Sequence, residues 1–255
     1  MTFTSSCCDN LSIDEIIERA EKGDCEAQYI VGFYYNRDSA IDSPDDEKAF
    51  YWLKLAAEQG HCEAQYSLGQ KYTEDKSRHK DNEQAIFWLK KAALQGHSDA
   101  QNNLADLYED GKGVAQNKTL AAFWYLKSAQ QGNRHAQFQI AWDYNAGEGV
   151  DQDYKQAMYW YLKAAAQESV GAYVNIGYMY KHGQGVEKDY QAAFEWFTKA
   201  AECNDATAWY NLAIMYHYGE GRPVDLRQAL DLYRKVQSSG TRDVSQEIRE
   251  TEDLL

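Results

Sequence analysis

The stretch AQFQIAWDYNAGEGVDQDYKQAMYWYLKAAAQESVG, residues 136–171, decides the fold, because its pattern recurs along the 255-residue chain. Tryptophan returns at Trp52, Trp88, Trp124, Trp160 and Trp196, each 36 residues after the last. Tyrosine keeps nearly the same period at Tyr35, Tyr72, Tyr108, Tyr144, Tyr180 and Tyr216. A fixed period of this length marks stacked supersecondary units, none of which can bury its apolar face alone.

Each unit opens with an alanine: Ala27, Ala64, Ala100, Ala136, Ala172 and Ala208. A branched apolar residue and a small one follow at offsets four and five, as in Ile140-Ala141 and Ile176-Gly177, and the tyrosine comes at offset eight. These offsets fall on one stripe of a 3.6-residue helix, here termed helix A. A second helix, helix B, carries Ala49, Ala85, Ala121, Ala157, Ala193 and Ala229, with the tryptophan three residues on (Leu232 in the last unit) and an Ala-Ala pair behind it in most units. Trp124 and Trp160 are expected to be buried wedges between helices.

Between the helices of the later units stand Gly111-Lys112-Gly113, Gly147-Glu148-Gly149, Gly183-Gln184-Gly185 and Gly219-Glu220-Gly221. The first glycine suits the left-handed residue that ends a helix. Asn117, Asp153, Asp189 and Asp225 stand where helix B begins and can accept from its unpaired first-turn amides. These loops read as turns. A phosphate loop needs a preceding strand and a lysine-serine pair, and neither is present. The first two units lack the paired glycines, so their loops, 36–46 and 73–81, should be the most irregular.

The expected organisation is a tail over 1–10, a capping helix over 11–26, six repeats (27–63, 64–99, 100–135, 136–171, 172–207 and 208–240) and a second capping helix over 241–255. Ser12 reads as a cap of the first helix and Gly23 as its stop. Polar terminal elements are what an open repeat array requires.

Composition narrows the function. Only Pro44 and Pro223 interrupt the chain, and 14% aromatic residues are too many for a disordered one. A net charge of −14 repels nucleic acid and anionic lipid and suits a basic partner surface. MTFTSSCCDN offers no basic segment followed by an apolar run, and no stretch is long and apolar enough to span a membrane, so membrane insertion is not expected. Cys7, Cys8, Cys25, Cys62 and Cys203 are odd in number and irregular in spacing, which points to free thiols and a cytoplasmic location.

The unit Ala136-Gln137, Tyr144, Gly147-Glu148-Gly149-Val150, Asp153, Ala157, Trp160, Lys163-Ala164-Ala165 resembles the Sel-one-like repeat family, a branch of the tetratricopeptide superfamily, over roughly residues 11–250. The resemblance implies a right-handed α-solenoid with helix A lining a concave face. It also implies a role in holding other proteins. The cysteine-rich secreted members of that family close each helix pair with a disulfide. The paired cysteines are missing here, and the β-lactam binding linked to some of those members transfers poorly.

On such a face, offsets +2, +6 and +9 of helix A would line a groove. They supply Tyr29, Tyr66, Phe138 and Tyr210, then Phe33, Asp106, Trp142 and Tyr178, then Glu109. The core stripe has its own tyrosines and tryptophans, so these rings read as hot-spot anchors for a partner protein or peptide. The +3 row, Asn103, Gln139, Asn175 and Asn211, could hold the backbone of an extended peptide or, equally, cap a neighbouring helix or loop. Asp99, Asp106, Glu109 and Asp110 concentrate acid in the third repeat and would attract a basic segment or remain a solvated face.

Catalytic chemistry finds little support. His61, His79, His97, His135, His182 and His217 lack metal-ligand spacing, and no nucleophile elbow or Cys-His signature is present. The expectation is a non-enzymatic adaptor with no catalytic residue, metal or cofactor. A bacterial immunity protein that neutralises a toxin is the alternative, and a hydrolase or β-lactam-binding protein is a more distant one.

Overall fold

The computed structural model describes residues 11–37, 44–74 and 79–255. Among these residues the chain forms fourteen α-helices and no strand, an α-solenoid of consecutively packed helix pairs. Residues 1–10, with Cys7 and Cys8, lie outside the described residues, as do 38–43 and 75–78 in the two charged loops.

Two compact units divide the chain, Met1–Asn133 and Arg134–Leu255. In the N-terminal unit α1 (Ile13–Glu21) packs on α2 (Cys25–Arg37). The pairs α2 with α3 (Pro44–Glu58), α4 (Cys62–Thr73) with α5 (Asn82–Leu94), and α6 (Ser98–Asp110) with α7 (Lys118–Gln130) follow. The C-terminal unit pairs α8 (Arg134–Ala146) with α9 (Tyr154–Ala165), α10 (Val170–His182) with α11 (Tyr190–Glu202), and α12 (Ala206–Tyr218) with α13 (Leu226–Ser239), and α14 (Ser245–Asp253) packs on α13.

Local chemistry sets the boundaries. Ser12 and Glu15 form a reciprocal capping box on α1. Asp81, Asn117, Asp153, Asp189 and Asp225 each accept from a first-turn amide of a helix B. Helix A starts two residues before the alanine that marks it in the sequence. Its caps are Asp24, His61, His97 and Asp205, which accept from the amides of Ala27, Ala64, Ala100 and Ala208 at 2.8–3.2 Å. His61 and His97, which lack metal-ligand spacing, are therefore helix caps, using Nδ1 as acceptor.

The paired glycines have separate tasks. Gly111, Gly183 and Gly219 end their helices in the left-handed region. Gly113 is also left-handed, at φ +74°, and a Cβ there would lie 2.4 Å from Asn82 Cβ at the start of the previous helix B. The second glycine thus allows one repeat to close on the last.

Trp88, Trp124 and Trp160 are buried, as the wedge reading requires, among alanines that leave room for close helix approach. A glutamine ladder joins successive repeats. Gln59, Gln95 and Gln131 donate to the buried Gln28, Gln65 and Gln101 at 2.7–2.8 Å. Those three in turn donate to the carbonyls of Ala20, Ala57 and Ala93. Gln167 repeats the contact to Gln137 in the C-terminal unit. Buried amides satisfied in this way fix the register of one repeat against the next.

Cys25, Cys62 and Cys203 are free thiols. Cys25 and Cys62 donate to the carbonyls of Ala56 and Ala92, and burial pushes both thiols up from the ordinary range. Ser98 takes the same place in the third repeat, bonded to Ser128. Among the described residues no helix is long and apolar enough to cross a membrane.

Candidate functional site

The +2 row of helix A meets the next repeat. Tyr29 stacks on His61 with ring centroids 4.5 Å apart, and Tyr66 stacks on His97 at 4.2 Å. The same imidazoles use Nε2 to reach Glu26 and Glu63. Burial first, and neighbouring carboxylates second, push the phenols of Tyr29 and Tyr66 up to about 12. Tyr210 is engaged from within the chain as well. The Arg242 guanidinium lies 4.0 Å above its ring, and its hydroxyl donates to Glu247 at 3.3 Å. The expectation that the core stripe leaves these rings unexplained therefore changes. Three of them use a face on the following repeat or capping segment, because a repeat array needs apolar contacts between units as well as within them.

The acid of α6 is similarly engaged. Asp106 accepts from the Tyr125 hydroxyl at 2.6 Å and from Asn102 at 3.3 Å. Asp99 accepts from Asn133, Asp110 pairs with Lys112, and Glu109 lies 3.7 Å from Lys118. Each carboxylate already has an internal partner, which weakens its pull on an external basic segment.

Of the amide row, Asn211 is buried. It donates to the Thr207 carbonyl at 2.8 Å and to the Tyr178 hydroxyl at 3.0 Å. Asn175 donates to the Gly171 carbonyl at 2.9 Å, and Asn103 accepts from Asn102 at 3.4 Å. Gln139 is half-buried. Asn175 and Asn211 thus bond back to the carbonyl four residues earlier in their own helix, which neither reading of their spacing anticipated.

One of the expected groove rings stays open to solvent, in the C-terminal unit. Trp142 on α8 is 46% exposed. Phe138, one turn earlier, lies over Gly171, where a Cβ would come within 2.9 Å of its ring, and sits 5.7 Å from Tyr161. Tyr178 holds the same offset on α10 as Trp142 on α8. It is half-buried, edge-on to Phe197 at 5.5 Å, and fixed by Asn211. Phe33, in the N-terminal unit, is half-buried 6.1 Å from Tyr29.

A second exposed row was not singled out from the sequence. Tyr51, Phe87, Phe123 and Tyr159, each immediately before a helix-B tryptophan, are 56%, 48%, 47% and 50% exposed. Their own 36-residue period was the available signal. It was masked by the adjacent tryptophans, which share the period.

Among the described residues no group of three or more His, Cys, Asp or Glu side chains is placed to hold a metal ion.

The Sel1 repeat matches this chain six times in tandem, at residues 25–61, 62–97, 98–133, 134–169, 170–205 and 206–235, and the chain belongs to the Sel1 repeat family. Each match begins near the start of a helix A, consistent with the observed caps. Over 81 residues, 32% of this chain, it is 99% identical to the Sel1-repeat-containing protein YbeQ of Escherichia coli (strain K12). Among solved structures it is similar to a protective antigen present in uropathogenic Escherichia coli strains and displaying an SLR fold. That match has a TM-score of 0.79 and 35% identity over 91% of this chain. It is also similar to a Sel1 repeat protein from Oxalobacter formigenes, with a TM-score of 0.69 and 30% identity, covering 93% of this chain and 69% of that one. The matches span 25% of YbeQ and 50% of the protective antigen. Sel1 repeat proteins are in general protein-interaction modules.

Proposed function

We propose that this member of the Sel1 repeat family is a non-enzymatic adaptor that takes a partner protein or peptide on the helix-A face of its C-terminal unit, with Trp142 as the central anchor. The observation that carries this reading is the 46% exposure of Trp142 in a chain that buries Trp88, Trp124 and Trp160. An indole left half in water gives up apolar burial, and interface hot spots are enriched in tryptophan and tyrosine. Phe138 and Tyr178 supply flanking apolar surface. Contacts with Gly171, Phe197 and Asn211 hold both rings in place, so little side-chain freedom is lost when a partner docks. Gln139 and Asn175 lie on the adjacent row and offer carbonyl oxygens to partner backbone amides. The α6 carboxylates already have internal partners, so a basic segment is not part of the proposal.

The test uses the native partner, identified by pull-down from the source cell, and a surface-based affinity measurement. Trp142→Ala is expected to raise Kd about thirtyfold or more, because a central anchor contributes about 2 kcal/mol and 1.4 kcal/mol is tenfold. Its urea midpoint should stay that of the unsubstituted chain, since the side chain is exposed. Wild-type affinity in Trp142→Ala would refute the proposal.

A further inference from the structure

Within the N-terminal unit α6 and its two neighbours α5 and α7 carry opposite charge, whereas α3 is net acidic. α6 carries Asp99, Asp106, Glu109 and Asp110 and no cation. α5 and α7 carry Lys90, Lys91, Lys118 and Lys127 against a single carboxylate, Glu83. In a chain of net charge −14 this is a local inversion of sign. It coincides with the second exposed aromatic row.

Phe87 stands edge-on to Trp88 at 4.9 Å, and Phe123 edge-on to Trp124 at 5.1 Å. Buried tryptophans thus hold two half-exposed rings at fixed angles. The Lys91 ammonium lies 4.5 Å above the Phe87 ring, and Lys127 lies 5.7 Å above Phe123. Neither lysine has a carboxylate within ion-pair distance among the described residues, and Lys90 has none either. Tyr51 holds the same register on α3, and Leu94 and Leu120 add exposed apolar surface on α5 and α7. The arrangement recurs on α9 of the C-terminal unit, where Lys163 lies 5.6 Å above the exposed Tyr159.

We infer that the outward face of α5 and α7, extended by Tyr51 on α3, is a second docking surface, distinct from the helix-A site. Its occupant is an acidic segment of another protein that places aliphatic or aromatic side chains beside Asp or Glu. Charge complementarity argues for that partner: the Lys91 and Lys127 ammonium groups have no carboxylate within ion-pair distance among the described residues, and they sit over the rings that an apolar side chain would cover. A carboxylate entering beside each ring completes an ion pair, while the apolar neighbour covers ring surface now open to water.

The test pans a random dodecapeptide display library on the full chain, with counter-selection on the variant Lys91→Glu/Lys127→Glu. Peptides that depend on the two lysines should be enriched in Asp or Glu next to Leu, Ile or Phe. Their Kd should rise about tenfold or more in that variant and in Phe123→Ser, and with added salt, yet stay unchanged in Trp142→Ala. Because Phe123 touches Trp124, the lysine variant keeps the test valid if Phe123→Ser folds poorly. Enrichment of basic or uncharged peptides, or unaltered affinity in the lysine variant, would overturn the inference. Loss of binding only in Trp142→Ala would assign the peptides to the helix-A face instead and also overturn it. A concentration-dependent dimer in sedimentation, abolished by the lysine variant, would make the occupant a second copy and overturn the assignment to another protein.

Discussion

Tyr125 and Tyr161 occupy the same place in successive repeats, one residue after the helix-B tryptophan, and both are fully buried. Their hydroxyls differ. Tyr125 donates to Asp106 Oδ1 at 2.6 Å, a short bond to a charged acceptor. In the next repeat the position of Asp106 is taken by Trp142, and the Tyr161 hydroxyl has no hydrogen-bond partner among the described residues. Removing each hydroxyl should therefore act with different sign. A hydrogen bond to a charged group contributes about 1.5–3 kcal/mol. Asp106 is half-buried and keeps its bond from Asn102, so Tyr125→Phe should cost near the lower end, about 1.5 kcal/mol. A buried hydroxyl without a partner costs about 1–3 kcal/mol, and its loss leaves a void of a single oxygen, so Tyr161→Phe should range from neutral to about 1 kcal/mol stabilising. Phe197, which fills the equivalent place in the fifth repeat and is fully buried, shows that the site accepts a plain ring. Urea melts followed by circular dichroism measure both changes, provided the slope with denaturant is unchanged. A loss of more than about 1 kcal/mol in Tyr161→Phe, or none in Tyr125→Phe, would refute the reasoning.

Gly113→Ala should destabilise more than Gly60→Ala in the same melts. Both glycines have positive φ, but a Cβ at Gly113 meets Asn82 at 2.4 Å, whereas one at Gly60 meets nothing within 4 Å. Backbone strain alone costs about 1 kcal/mol and overpacking adds about 1–3 kcal/mol, so equal losses would contradict the close approach. Alkaline pH should also weaken the fold. Burial raises Tyr29 and Tyr66 from about 10 to about 12, so the neutral phenols contribute stability that is fully present below pH 10 and is lost as pH climbs to 12. Urea midpoints that stay flat from pH 9.5 to 12, or ionisation of every tyrosine near pH 10 by absorbance, would count against that burial.

The sequence by itself determined the repeat, the helix pair within it and most of the punctuation. The reason is that these features rest on local rules. A 3.6-residue stripe, a capping aspartate such as Asp153 and a left-handed glycine such as Gly111 act within a few residues of themselves. The helix-A caps were less legible, because histidine at 61 and 97 is not a usual cap residue and gains the role through its stack on Tyr29 or Tyr66. The candidate site was legible only as a set of offsets. Whether Phe138, Tyr210 or Trp142 faces solvent depends on what a residue more than 30 positions away supplies: Gly171 beneath Phe138, and Glu247 against Tyr210. The partners of Asp99 and Asp106 were not legible in the sequence because Asn133 and Tyr125 lie more than a helix away along the chain. Which rings remain open to a partner was thus decided by tertiary structure alone, since exposure follows from contacts between repeats and the 36-residue pattern is the same for a ring that is covered and one that is not.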